Sequence, residues 1–181
     1  MKRQHINMPR KKKEEQRQDA QTPEVPKMKE RPQLVKGMKD ILPVDQPYWD
    51  AMRRACQNIA QQYSFERIDI PVVEDASLFT HGLGKQTDIV EKEMYTFVDQ
   101  GEQNLALRPE FTAGVARAYL EHGMNVWPQP VKLYATGPVF RHDKPQEGRY
   151  RQHYQVSFEV IGEGKPAVDA QLMFVGYKFL K

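Results

Sequence analysis

The chain has 181 residues, 39% of them apolar and 10% aromatic, which is enough to bury one core of ordinary size. Lys and Arg number 27 against 24 Asp and Glu, yet residues 1–32 hold ten of the cations and only five of the acids, so the positive excess belongs to the start of the chain. No apolar run approaches the roughly 20 residues of a membrane span, the beginning lacks the apolar segment of a secretory signal, and a single cysteine, Cys56, excludes an internal disulfide framework and fits a reducing cytoplasm.

Residues 1–33 have few large apolar side chains, several prolines and no amphipathic period, so they read as a disordered basic tail. The KKK run at 11–13 reads first as a solvated extension with weak nonspecific attraction, and it also suits RNA or another polyanion. A lead-in, VKGMKDILPVDQ, precedes a helix predicted over 46–63. Asp45 is a candidate N-cap, Pro47 sits in the first turn, and Trp49, Met52, Cys56, Ile59 and Tyr63 form one apolar stripe. FERIDIPVVE reads as a strand with Pro71 at an edge, a bulge or an interface.

The Gly-containing stretch LFTHGLGKQTDIVEKE fails as a phosphate-binding P-loop. Phe79 stands where the first glycine belongs, and Gln86 follows Lys85 where Ser or Thr is required. MYTFVD and NLALR then read as a hairpin turning over Gln100 to Gln103, with Gly101 as the permissive residue. Pro109 ends that strand, Thr112 is a candidate cap, and AGVARAYLEHG reads as a helix closed by Gly123.

The most informative part is a second hairpin, with strands predicted from Val131 to Arg141 and from His153 to Ile161. Its connection is far longer than a tight turn. In the second strand His153, Gln155, Ser157 and Glu159 share one face, while Tyr154, Val156, Phe158 and Val160 share the other. The apolar side is expected to be core and the polar side open. At about 3.3 Å per residue, Gln155 and Glu159 stand roughly 13 Å apart across small Ser157, flanking a hollow for a small polar ligand. Such alternation also suits a strand facing water. Arg141 at the strand end and Arg149 and Arg151 in the loop offer planar, permanently charged forks for phosphate beside that hollow. Tyr150 and His153 offer rings for stacking on a base.

The stretch FRHDKPQEGRYRQHYQVSFEVIG closely resembles motif 2 of the class II aminoacyl-tRNA synthetases, in the form typical of the histidyl-tRNA synthetase family. YSFERIDIPVVE looks like the strand half of motif 1, and GLGKQTDIVEKEMYTF and LALRPEFTAGVARAYLEHG are similar to that family as well. The resemblance covers residues 34–181 and implies an α+β fold, an antiparallel sheet flanked by helices, as the N-terminal part of a class II catalytic core. It further implies ATP-dependent activation of histidine to histidyl-adenylate and transfer to tRNA(His), with Mg2+ on the phosphates and a cytoplasmic homodimer joined through motif 1. By the same resemblance Arg141 is catalytic, touching the α-phosphate of ATP and the substrate carboxylate. Arg149 and His153 lie at the nucleotide, and Gln155 and Glu159 hold histidine, with Glu110 and Thr112 completing the amino-group pocket.

Two residues depart from the family pattern, Phe111 and Ser157, each where glycine is usual, and both are expected to narrow the amino-acid pocket. Nothing up to Lys181 matches motif 3, the histidine-specific loop or an anticodon-binding domain, so the chain reads as apparently truncated and inactive on its own. Two other readings stay open: a non-catalytic paralogue acting as regulatory subunit of ATP phosphoribosyltransferase, and a dimerising fragment without catalysis. None of the three serines sits in a nucleophile elbow, and the five histidines show no metal-binding spacing.

Overall fold

In the computed structural model, which describes residues 32–82, 93–144 and 146–181, the helix expected from the first apolar stripe runs over Gln46–Gln62 (α1). Residues 34–181 form one compact unit. The expectations for the tail and for the loop bearing Gly84, Lys85 and Gln86 lie outside the described residues. Pro47 occupies the first turn of α1 as expected, but Asp45 has helical backbone angles and caps nothing with its side chain. It is the Asp45 carbonyl that accepts the N–H groups of Tyr48 and Trp49.

The stretch FERIDIPVVE is two strands rather than one. Glu66–Arg67 (β1) pairs with Leu133 and Tyr134 in one sheet, whereas Val73–Asp75 (β2) pairs with Leu105 to Leu107 in another. Pro71, which lacks a ladder donor, lies at the break between them. After Ala76–Gly82 (α2), the strands Tyr95–Val98 (β3) and Asn104–Leu107 (β4) form the first hairpin. Its turn is held by Asp99, whose Oδ1 accepts the N–H groups of Gly101 (2.9 Å) and Gln103 (2.8 Å). Glu102, with φ 62, and not Gly101, takes the left-handed conformation.

Thr112–Glu121 (α3) ends at Gly123 as predicted, and a short 3-10 turn, Met124–Val126, leads into Val131–Phe140 (β5). Gln152–Ile161 (β6) returns antiparallel to β5, pairing Val131 with Ile161 through to Phe140 with Gln152, and Pro166–Leu180 (α4) follows. The strand orders are β1-β5-β6 and β2-β4-β3, with one parallel pairing, β1 on β5. The α+β class therefore holds.

Both faces of the β5-β6 sheet carry core, which corrects the expectation of one apolar and one open side. On one face Val131, Leu133, Ala135 and Val139 pack with Phe111, Val115 and Ala118 around α3. On the other, Tyr134, Val156, Phe158 and Val160 pack against Cys56 and Ala60 of α1 and Val175 of α4. Opposed residues in an antiparallel ladder share a face, so the polar residues of β6 lie beside the apolar residues of β5 on the α3 side. Ser157 is consequently buried.

Arg108 fastens the two sheets together. Its guanidinium donates to the carbonyls of Ile70 (2.6 Å), Pro71 (3.3 Å) and Pro138 (3.0 Å) and lies 4.5 Å above the Phe111 ring. Burial lowers its pKa, against the opposing pull of Asp69 and Glu74. Backbone carbonyls that satisfy a buried guanidinium offset part of its desolvation. Phe111 is fully buried beneath it, so it fills the core instead of narrowing a pocket.

Candidate functional site

The chemistry-bearing residues fall into two neighbouring groups at the end of the β5-β6 hairpin. In the first, Glu110 accepts the N–H groups of Thr112 and of Ala113 (2.9 Å) through separate carboxylate oxygens. Glu110 is thus the cap of α3, the role expected of Thr112, and its negative charge sits at the positive end of the helix dipole. The residue is only 6% exposed, yet each carboxylate oxygen retains a second lone pair for a further donor. The Thr112 hydroxyl donates across to Glu159 Oε1 at 2.7 Å, and the Ser157 hydroxyl donates to the same oxygen at 2.6 Å. Two hydroxyls on Oε1 leave Oε2 for a ligand. Gln155 continues the face opposite Gly137, where a Cβ would lie 3.0 Å from Arg108 Nη2. Glycine there keeps the floor beside Gln155 free of a side chain.

The second group surrounds a cleft of about 160 Å³ lined by Arg141, Asp143, Gly148, Arg149, Tyr150 and His153. Arg141 Nε donates to the Pro109 carbonyl at 2.9 Å, which anchors it next to Glu110 and joins the two groups. Arg149 pairs with Asp143, so its charge is already balanced. His153 is held below its ordinary pKa of 6.5, first by burial and then by the Arg141 charge, against a backbone hydrogen bond with Tyr150. A neutral ring results at pH 7, suited to stacking on a base.

Of the residues singled out from the sequence, Arg141, Arg149 and His153 line one cleft, and Glu110, Thr112 and Glu159 meet through hydrogen bonds. Arg151 leaves the group of phosphate candidates, because its side chain is turned to backbone carbonyls. Asp143 was missed, although an acid two residues after Arg141 in a loop rich in arginine is a readable signal. Ser157, expected to narrow the pocket, is a hydrogen-bond donor to Glu159. Among the described residues no group of three or more His, Cys, Asp or Glu is placed to hold a metal, and no helix is long and apolar enough to cross a membrane.

A larger cleft of about 490 Å³ lies between α1 and the strands, and none of the site residues singled out from the sequence lines it. Trp49, Met52, Cys56, Phe65, Tyr134 and Tyr154 are among its lining. Met52 and Tyr154 remain 51% and 41% exposed, so the stripe of α1 is only partly covered by the chain's own sheet.

A capped helix facing a strand carboxylate, beside a long hairpin loop that carries anchored arginines, is the arrangement of a class II aminoacyl-tRNA synthetase catalytic core. The apo histidyl-tRNA synthetase of Staphylococcus aureus superposes with a TM-score of 0.70 at 35% identity, over 82% of this chain and 34% of that one. A protein from Bacillus halodurans described as an ATP phosphoribosyltransferase regulatory subunit/histidyl-tRNA synthetase shares the fold, with a TM-score of 0.69 at 22% identity over 83% of this chain and 38% of its own. A histidine–tRNA ligase of Dehalococcoides mccartyi is 53% identical over 147 residues, covering 81% of this chain and 35% of the relative. The profile of the histidyl-tRNA synthetase family matches residues 37–181. The chain belongs to that family. It spans about a third of the length of the relatives it matches.

Proposed function

We propose that the polypeptide containing this chain activates histidine with ATP to histidyl-adenylate and transfers it to tRNA(His) in the cytoplasm. The observation that carries this reading is the contiguity of an anion-binding cleft and a cation-binding pocket. Arg141 lines the first and, through Pro109, is tied to the residue preceding Glu110 in the second. Glu110, Thr112 and Gln155 receive the ammonium of histidine, and Glu159 receives a further donor through Oε2. Arg141 neutralises the α-phosphate and orients the substrate carboxylate, Arg149 holds the outer phosphates after leaving Asp143, and His153 packs on adenine. Such a reaction depends on positioning and charge neutralisation more than on proton transfer. Magnesium arrives on ATP, since it keeps several waters and phosphate oxygens and needs few protein carboxylates; among the described residues Asp143 is the one acid lining that cleft.

Histidine-dependent exchange of labelled pyrophosphate into ATP tests the reading in the polypeptide as the cell makes it. Exchange with histidine and not with other amino acids is expected. No exchange with histidine, with ATP phosphoribosyltransferase stimulated instead, would move the protein to the regulatory-subunit reading. The partly covered stripe of α1 supports a homodimer joined through α1 and the segment around Pro71. A strictly monomeric species in sedimentation at micromolar concentration would count against that assembly.

A further inference from the structure

Arg151 joins the lead-in at residues 36–37 to the start of the hairpin loop at residues 141–143. Its N–H donates to the Gly37 carbonyl at 2.7 Å, and its carbonyl accepts the N–H of Arg141 at 2.8 Å. Its side-chain Nε donates to the Asp143 carbonyl at 3.2 Å, and Nη1 makes a longer bond to the Lys36 carbonyl at 3.4 Å. The lead-in segment is thereby laid along the base of the hairpin loop.

Gly37 is fitted to this contact in two independent ways. Its φ of +85° lies in the left-handed region that other residues avoid, and a Cβ would come within 2.7 Å of both Cγ and Cδ of Arg151. Both groups that Arg151 holds belong to the nucleotide cleft. Arg141 lines it directly, and Asp143 both lines it and pairs with Arg149.

We propose that Arg151, seated under Gly37, is a positioning residue that sets the spacing of Arg141 and the Asp143–Arg149 pair for a nucleoside triphosphate without touching the nucleotide. The proposal rests on the reading of that cleft as the ATP site. A guanidinium serves here because its planar fork satisfies two carbonyls at once, whereas a lysine reaches one geometry at a time. The lead-in thereby acts on phosphate binding through the loop it holds, with no contact of its own to the ligand.

The test compares Arg151→Met, Arg151→Lys, Gly37→Ala and the Arg151→Met/Gly37→Ala double variant by pyrophosphate exchange in the polypeptide as the cell makes it. Arg151→Met and Gly37→Ala are each expected to raise KM for ATP about tenfold while leaving KM for histidine within twofold. The double variant should be no worse than the more affected single one, because both changes break one latch; Arg151→Lys should recover part of the loss. If Arg151→Met raises KM for ATP while Gly37→Ala does not, or the two effects multiply, Arg151 binds phosphate itself and the proposal is overturned. Absence of exchange in the unsubstituted protein would sink the functional reading, and the latch is then judged by amide hydrogen exchange on this chain. Faster exchange at the Arg141 and Arg151 amides in both single variants, with α3 unchanged as the folding control, supports it. Unaltered exchange at those two amides overturns it.

Discussion

Replacing Glu159 by Gln isolates the charge of the pocket with little change of shape. Oε1 already accepts the hydroxyls of Thr112 at 2.7 Å and Ser157 at 2.6 Å, so the new amide oxygen is expected to keep that side. Its NH2 then faces the ligand, where an acceptor with a full charge stood. Losing a charge-assisted hydrogen bond costs about 1.5–3 kcal/mol, roughly ten- to hundredfold in affinity. Should the hydroxyls rotate and the amide turn over, an uncharged acceptor survives and the loss falls toward about 1 kcal/mol. KM for histidine should therefore rise by about fivefold at the least and by up to about a hundredfold, with KM for ATP nearly constant. Pyrophosphate exchange at saturating ATP and then at saturating histidine separates the two. A histidine KM within twofold of the unsubstituted protein would show that Oε2 does not face the amino acid.

Arg141→Lys keeps a charge but loses both the fork and the Nε contact to Pro109, so the rate of adenylate formation should fall about a hundredfold with little change of Tm. Glu110→Ala removes the cap of α3 and should cost about 1–2 kcal/mol, a fall in Tm of about 2–8 °C by calorimetry; an unchanged Tm would show that the cap is idle. Burial and Arg141 hold His153 below 6.5, so the unfolded chain binds the extra proton in the window just below that value. Stability should rise with pH through that window and gain nothing further from this group above it. His153→Gln should flatten that part of a Tm profile measured from pH 5 to 7. Residues 1–181 alone should show little pyrophosphate exchange, since among the described residues the proposed nucleotide cleft carries only two arginines, one of them paired with Asp143.

Long hydrophobic patterns were legible in the sequence, and local competition was not. The stripe from Trp49 to Tyr63 and the alternation from His153 to Ile161 announced α1 and β6 because periodicity reports which face is apolar. That alternation could not reveal what lies across the ladder: Leu133 and Ala135 face the same side as Glu159 and Ser157, and only the register places them together. Pro71 fits an edge, a bulge or an interface equally from sequence, and that the chain changes sheet there shows only in the fold, where Arg108 reaches the Ile70 and Pro138 carbonyls from elsewhere in the chain. The caps at Asp45 and Thr112 were misplaced for a related reason. Asp45 leaves its helix end to its own carbonyl, and Glu110, one residue further from the helix than an ordinary cap, displaces Thr112 with two oxygens. Within the site, residue types were readable, whereas the partners of Arg149 and Arg151 were set by the loop's folded path.

The bond from Thr112 to Glu159 spans 47 residues, whereas β5 and β6 are neighbours in sequence. Contacts between neighbouring segments close small loops and form at low entropic cost; those across long separations wait for the chain to be brought together. The hairpin is thus expected to be native-like in the folding transition state, and the junction of α3 with Glu159 to form after it. Thr112→Ala should accordingly hasten unfolding and leave the refolding rate of the chain nearly untouched in stopped-flow measurements. Equal changes in both limbs would mean that the junction takes part in the nucleus. With the order expected here, the proposed amino-acid pocket is the last part of the hairpin's surroundings to be built and among the first to open, so the protein would lose its selectivity for a ligand while most of its secondary structure persists.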